Sequence, residues 1–263
     1  MSIALMCGDC LELMKQLPDK SVDLTVTSPP YDNLRTYNGN ISQWSFEKFK
    51  EIAKELYRIT NSGGVVVWVV GDATIKGSET GTSFRQALWF MDCGFNLHDT
   101  MIYQKSGVSY PESNRYLQQF EYMFVFSKWK PKTCNLIKDR ENKYVGKQGG
   151  NHRGGLCNRE KYGLRFNIWY YPNGKYNSTK YLEAFKHPAI FPERLATDHI
   201  LSWSNEGDTV LDCMMGSGTT GVACVNTNRN FIGMELDPQY FELAKKRIQN
   251  AMAKMEVQDE RTD

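Results

Sequence analysis

The sequence lacks any uninterrupted apolar run approaching the ~20 residues that span a bilayer. Its start, Met1 to Cys10, also lacks the basic n-region and long apolar stretch of a secretory signal. These absences exclude membrane spans and secretion, and predict a soluble, cytoplasmic protein. Low hydrophobicity is missing too: 41% of residues are hydrophobic and 24% charged, which excludes a disordered chain, a collagen-like fibre and a coiled coil. The cysteines at 7, 10, 93, 134, 157, 213 and 224 are odd in number and scattered, so reduced thiols are expected rather than a disulfide framework. Cys7 and Cys10 form a CxxC, but no second pair completes a four-cysteine zinc site, and no metal is expected. There is no internal repeat. What remains is a folded globular chain of 263 residues, enough for one large domain or two modest ones.

A formal net charge of +2 conceals an asymmetry. Residues 106 to 186 hold 15 Lys and Arg against 6 Asp and Glu, a balance of +9, and the rest holds 17 against 24, a balance of −7. The basic stretch also carries Tyr110, Tyr116, Tyr122, Tyr144, Tyr162, Trp169, Tyr170, Tyr171, Tyr176 and Tyr181. Cationic and stacking groups interleaved in this way suit a nucleic-acid surface, and equally a loop-rich insertion whose aromatics fill its own small core.

Val22–Thr27 and Val65–Val70 are β-branched runs bounded by turn residues, as buried strands of a parallel sheet should be. Between them, Phe46, Phe49, Ile52, Leu56 and Ile59 recur at helical spacing from Ser45, a predicted N-cap, to a stop at Asn61–Gly64. Near the other end, Thr209–Cys213 and Asn230–Met234 read as strands around a Gly-rich turn that opens a helix through about Asn226. A final helix has Tyr240, Phe241, Leu243, Ala244, Ile248, Ala251 and Met252 on one face and Lys245, Lys246 and Arg247 on the other, before a polar tail at 256–263. The expected fold is α/β, a doubly wound, mostly parallel sheet made from both chain ends, with the basic stretch inserted between them.

Asp212 stands at a predicted strand end before Gly216 and Gly218, a turn where backbone can approach a ligand and helix N–H groups point outward. No lysine follows the glycines, which excludes a P-loop, and the third glycine of the dinucleotide fingerprint is missing. Glu235, an acid ending the next strand about 20 residues on, has the spacing that meets ribose hydroxyls. Together these imply a ribose-bearing cofactor without a pyrophosphate. At the other end, Ser28-Pro29-Pro30-Tyr31 follows a strand directly. Pro-Pro has no backbone N–H, so the turn can present bare carbonyl acceptors with an aromatic face behind them; as a bare sequence it is also common turn chemistry. Acceptors facing an exocyclic amine favour its pyramidal, nucleophilic form.

Val210–Thr220 resembles the S-adenosylmethionine loop of the amino-methylating DNA methyltransferases, D-P-F-x-G-S-G-T-T, with Cys213 and Met214 in place of Pro and Phe. Phe231–Asp237 resembles their following strand, Gly8-Asp9-Cys10 the site where an Asp meets the adenine amino group, and His187–Glu193 the segment covering the methionine end of the cofactor. Thr27–Tyr31 matches their catalytic tetrad, and the order of tetrad, basic region and cofactor loop is that of the family's β group. The resemblance implies a Rossmann-like class I methyltransferase fold. In it, 1–105 would be the catalytic half, 106–186 the target-recognition region, 187–255 the cofactor half and 256–263 a tail.

It further implies S-adenosylmethionine as cofactor, held by Asp9, Cys10, His187, Pro188, Phe191, Asp212, Met214, Gly216, Ser217, Gly218, Thr219, Glu235 and Leu236. Ser28 and the Pro29 carbonyl would accept from the target amine beside Pro30, and Tyr31 would stack on a flipped base. Asp9 also suits a helix N-cap. Double-stranded DNA is the implied partner, with a homodimer and a cognate restriction endonuclease left open. By charge and side-chain chemistry Arg115, Lys138, Arg140, Lys143, Asn151, His152, Arg153, Arg159 and Arg165 are DNA-contact candidates. Ser before Pro-Pro usually accompanies cytosine N4, Asp or Asn adenine N6; the serine favours cytosine, and its chemistry does not exclude adenine. An RNA or protein-glutamine amine is the nearest alternative substrate, and a DNA-binding module without catalysis the alternative of another class.

Overall fold

The computed structural model describes residues 1–31, 44–109, 113–146, 148–150, 156–158, 160–174, 178–179, 184, 190 and 192–259, with backbone only at 108–109, 148–150, 156–158 and 258–259. The first half runs β1 (Ile3–Cys7), α1 (Cys10–Met14), β2 (Val22–Thr27), α2 (Phe46–Ile59), β3 (Thr60–Val70), the two-residue strands β4 (Thr74–Ile75) and β5 (Ser78–Glu79), α3 (Thr82–Asp92), β6 (Asn96–Ser109) and β7 (Gln118–Ser127). The short strands β8 (Lys138–Glu141), β9 (Gln148–Gly150), β10 (Leu156–Asn158) and β11 (Tyr162–Leu164) follow. The chain closes with β12 (Ile168–Tyr171), α4 (Glu193–Trp203), β13 (Thr209–Asp212), α5 (Thr219–Asn226), β14 (Asn230–Glu235) and α6 (Pro238–Asp259).

Eight strands form one sheet in the order β1-β14-β13-β2-β3-β7-β6-β12. All of its pairings are parallel except those of β7, which runs against both β3 and β6. The β-branched run of β3 shows why both faces must be covered. Val65, Val67 and Val69 enter one core with Leu195, Ile200, Val222, Ala244 and Ile248 from α4, α5 and α6. Val66, Trp68 and Val70 enter the other with Phe49, Ile52, Leu56 and Phe90 from α2 and α3. Successive residues thus bury on opposite sides, at roughly 1.5–3 kcal/mol for each large apolar side chain.

Ser45 caps α2 as expected, its Oγ accepting from the Lys48 amide at 3.1 Å. Helix α2 ends at Ile59, ahead of the predicted stop at Asn61–Gly64, and those residues form the first part of β3, with Gly63 at φ +79°. A Cβ on Gly64 would lie 2.7 Å from Thr60 Cγ2, so the helix passes into the strand with no separate loop. Helix α6 extends through Asp259, into the stretch expected to be a tail. Arg247, expected on its polar face, is 1% exposed and turned inward. No helix among the described residues is long and apolar enough to cross a membrane.

The basic stretch does not stand wholly apart from the sheet. Its apolar alternation builds β7, and β12 pairs with β6, so Trp169 and Tyr171 belong to the packed interior rather than to an open stacking surface, and Tyr122 packs partly against it. What stands off the sheet are the small pairs β8 with β11 and β9 with β10. The chain leaves β13 toward β14 and leaves β2 toward β3, on opposite sides. The crevice at the carboxyl ends of β2 and β13 is therefore the point where an open α/β sheet binds ligands.

Candidate active site

The carboxyl ends of β2 and β13 are joined by a side-chain hydrogen bond: Thr27 Oγ1 donates to Asp212 Oδ1 at 2.7 Å. Thr220 Oγ1, from α5, donates to Asp212 Oδ2 at 2.7 Å, and the Met214 amide donates to Oδ1 at 3.1 Å. Asp212 is only 2% exposed, and burial raises its pKa to about 6 in spite of these three donors. Its carboxylate is thus spent inside the protein, tying the Gly-rich loop to the strand that ends in Ser28. Cys213, also buried, lies with its thiol 3.8 Å from Thr27 Oγ1.

Beyond Asp212 the loop turns through Gly216 at φ +50° and Gly218 at φ +80°, and Gly218 opens α5. A Cβ on Gly218 would sit 2.9 Å from Ala244 Cβ and 3.0 Å from Ala244 Cα, so helix α6 leaves no room for one. From that helix Arg247 donates to the Ser217 carbonyl and, at 2.9 Å, to Ser217 Oγ. Ser217 and Thr219 are buried, while Met214 and Leu236 are half-buried. Glu235 Oε2 accepts from the Gly216 amide at 2.9 Å and Oε1 from the Asp237 amide at 2.8 Å; burial raises its pKa. Each oxygen keeps a lone pair, so the carboxylate can accept from a pair of neighbouring hydroxyls.

Parallel pairing of β1 with β14 sets Cys7 opposite Glu235 and brings the following turn to the same edge, with the Gly8 amide on the Glu235 carbonyl at 2.9 Å. Asp9 caps α1 through Oδ1, which accepts from the Leu11 amide at 2.9 Å, and its Oδ2 pairs with Lys48 of α2. Cys10 is the first residue of that helix. His187, Pro188 and Phe191 lie outside the described residues.

On the β2 side, Pro29 is buried and Ser28, Pro30 and Tyr31 are half-buried. Ser28 Oγ donates to Tyr31 Oη at 3.0 Å, and Tyr31 Oη donates to Glu121 Oε2 at 2.9 Å. Lys105 donates to Glu121 Oε1 at 3.0 Å. A Cβ on Gly71 would be 3.5 Å from the edge of the Tyr31 ring, which therefore lies against bare backbone at the end of β3. A cavity of about 740 Å³ adjoins this corner, lined by Gly71, Asp72, Arg115, Tyr116, Glu121 and Tyr122 among others.

The cationic candidates separate into groups. Lys143 is exposed, and Lys138 is exposed with Glu160 3.4 Å away. Arg140 lies over the Phe166 ring and donates to the Leu164 carbonyl. Arg115 donates to the Gly77 carbonyl beside the cavity. Arg165 pairs with Asp139 and, at 2.7 Å, with Asp198, and donates to Tyr171 Oη at 3.1 Å, so its charge is neutralised within the protein. Next to that cluster His199 is fully buried against Trp169, and burial lowers its pKa to about 3, so it is neutral. Asn151, His152, Arg153 and Arg159 lie outside the described residues.

Three site residues escape sequence reasoning, Glu121, Arg247 and Lys48, while Thr27 reads only as part of the matched motif and not as a partner of Asp212. Glu121 does leave a trace, since it is an acid inside the apolar run Phe120–Phe126, a placement that is costly unless the charge is paired.

A protein-family model described as DNA methylase, of the N6 and N4 type, matches residues 22–246. M.BamHII of Bacillus amyloliquefaciens, an orphan methyltransferase, is 55% identical over 252 residues, covering 90% of this chain and 92% of that protein. M.HpaI of Haemophilus parainfluenzae, a type II methyltransferase, is 28% identical over 98% of this chain and 77% of its own length. Among solved structures, PvuII DNA methyltransferase, cytosine-N4-specific, superposes with a TM-score of 0.72 at 24% identity, covering 94% of this chain and 86% of that one. A complex of M1.HpyAVI with SAM gives a TM-score of 0.60 at 26% identity over 93% and 99% of the two chains.

Proposed function

This chain belongs to the DNA methylase family, and from that membership we propose that its target is cytosine N4, with Ser28, Pro29, Pro30 and Tyr31 forming the catalytic turn. As a family member it is an S-adenosylmethionine-dependent enzyme that methylates an exocyclic amino nitrogen of DNA, cytosine N4 or adenine N6. The residues present fit that cofactor. Glu235 offers two oxygens to a ribose diol beside Gly216, and no cation follows the glycines to hold a pyrophosphate. When bound, S-adenosylmethionine supplies an electrophilic sulfonium methyl group.

Glu235, Gly216, Gly218 and Asp9 would hold the cofactor, with Asp212 and Arg247 keeping the loop in shape behind them. Ser28 Oγ and the Pro29 carbonyl would accept from the amine N–H groups and so favour its pyramidal form. Tyr31 would stack on the flipped base, and Lys138 and Lys143 would grip phosphates. We assign target recognition to the strand pairs that stand off the sheet between β7 and β12. The observation that carries this reading is the Thr27–Asp212 hydrogen bond, which sets the acceptor turn and the cofactor loop on adjoining strand ends of one sheet. Cytosine is supported by Ser28 itself, the residue that accompanies N4 chemistry in the sequence resemblance.

Mass spectrometry of nucleosides from DNA incubated with enzyme and S-adenosylmethionine tests the proposal. N4-methylcytosine is expected; N6-methyladenine alone would refute the choice of base. Ser28→Ala and Tyr31→Ala should each reduce turnover far more than cofactor affinity. Wild-type rates in both would remove the catalytic assignment.

A further inference from the structure

We propose that Glu121 is a positioning residue that fixes Ser28 as a hydrogen-bond acceptor, acting through the Tyr31 hydroxyl. This rests on the reading of Ser28 as the acceptor for the target amine. A serine hydroxyl is ambivalent, with one hydrogen to donate and lone pairs to accept with, and an amine needs it in the second role. The polarity of the chain Ser28–Tyr31–Glu121 resolves the ambiguity from its far end. An ionised carboxylate accepts only, so at 2.9 Å the Tyr31 hydroxyl must give Glu121 its single hydrogen. The Tyr31 oxygen then faces Ser28 with lone pairs alone, and at 3.0 Å Ser28 must donate to it. Both lone pairs of Ser28 Oγ are left for the amine.

Lys105 donates to the other carboxylate oxygen at 3.0 Å, so both oxygens of Glu121 serve as acceptors; the two side chains are 14% and 17% exposed. Topology places the acid. Because β7 alone runs antiparallel, its amino end meets the carboxyl ends of β3 and β6, with Tyr122 opposite Val70 and Glu121 opposite Tyr103. Glu121 Cγ lies 3.6 Å from where a Cβ on Gly71 would be, next to the ring it holds. Without Glu121 the Tyr31 hydrogen keeps only the weaker Val69 carbonyl, 3.4 Å away, and can also turn toward Ser28, so the hydroxyl polarity is no longer fixed.

The test is a double-mutant cycle read as single-turnover methylation rates at saturating DNA and cofactor. Glu121→Leu should slow the rate roughly 10- to 100-fold, the worth of a hydrogen bond to a charged group, with Kd for S-adenosylmethionine and DNA within about twofold of wild type. Glu121→Gln, whose amide oxygen still accepts from Tyr31, should recover most of the loss. Tyr31→Phe keeps the ring and deletes the relay, so it should fall by a similar factor, and adding Glu121→Leu to it should change the rate by less than about twofold. Additive losses, or unchanged rates in Glu121→Leu, overturn the proposal. If Glu121→Leu fails to bind cofactor and so to fold, Tyr31→Phe decides alone, and a wild-type rate there overturns it. A wild-type enzyme that methylates no exocyclic amine would sink the functional reading. One that methylates normally yet ignores both substitutions sinks only the relay.

Discussion

Asp212→Asn separates the electrostatic strain at the heart of the site from its hydrogen bonding. Burial moves the Asp212 carboxyl from 3.8 to about 6, so the folded protein binds that proton more tightly than the unfolded chain does. Stability from this group is complete below pH about 4 and is lost as pH rises through about 6. The gap corresponds to about 3 kcal/mol at about 1.36 kcal/mol per pH unit. Asparagine at this position does not titrate, keeps an oxygen for the Met214 amide, and presents an amide N–H to a threonine oxygen. Groups away from the Asp212 charge titrate alike in both proteins and cancel in the difference; Glu235, whose carboxyl that charge helps to push up, changes in the same direction as Asp212 itself. Urea unfolding of wild type and variant across pH 3 to 7 should therefore show the wild type losing about 3 kcal/mol relative to the Asp212→Asn protein. A difference that stays flat, or that moves in favour of wild type with rising pH, would show that Thr27, Thr220 and the Met214 amide fully offset the burial, and the reasoning would fail.

Gly218→Ala places a side chain at φ +80° and against Ala244, and should destabilise the fold by roughly 2–4 kcal/mol while weakening cofactor binding; an unchanged thermal midpoint would contradict the tight approach of α6 to the loop. Lys138→Ala and Lys143→Ala should each flatten the slope of log binding constant against log salt by about 0.9. Arg165→Ala, which removes the nearest cation from the buried Asp198 and leaves it the Tyr171 hydroxyl and the more distant Arg194, should instead cost up to about 3–5 kcal/mol of stability and leave the slope alone; equal slopes in all three variants would erase the distinction.

Much of the site was legible because its chemistry sits at strand ends, where pattern and motif coincide: Ser28 to Tyr31 directly after Thr27, and Gly216 and Gly218 directly after Asp212. Period-two burial in β3 and helical spacing in α2 likewise follow from local sequence. Which way a polar group faces was not legible. Asp212 looks like a ligand-facing acid and is turned inward; Arg247 follows two lysines and looks exposed, yet it braces Ser217. Glu121 lies 90 positions from Tyr31, and only the reversed direction of β7 brings them together. These facts depend on tertiary pairing, which no local window contains.

The bond between Thr27 and Asp212 spans 185 positions of chain, and strand β13 is the partner that β2 waits for. During synthesis β2 can pair with β3 on one side, but its other edge stays open until β13 (Thr209–Asp212) leaves the ribosome. A nascent chain short of Glu235 has no cleft to work with, so competence arrives in a single late step. Premature termination or a stall in that final stretch would yield an inert, aggregation-prone fragment rather than a weakened enzyme.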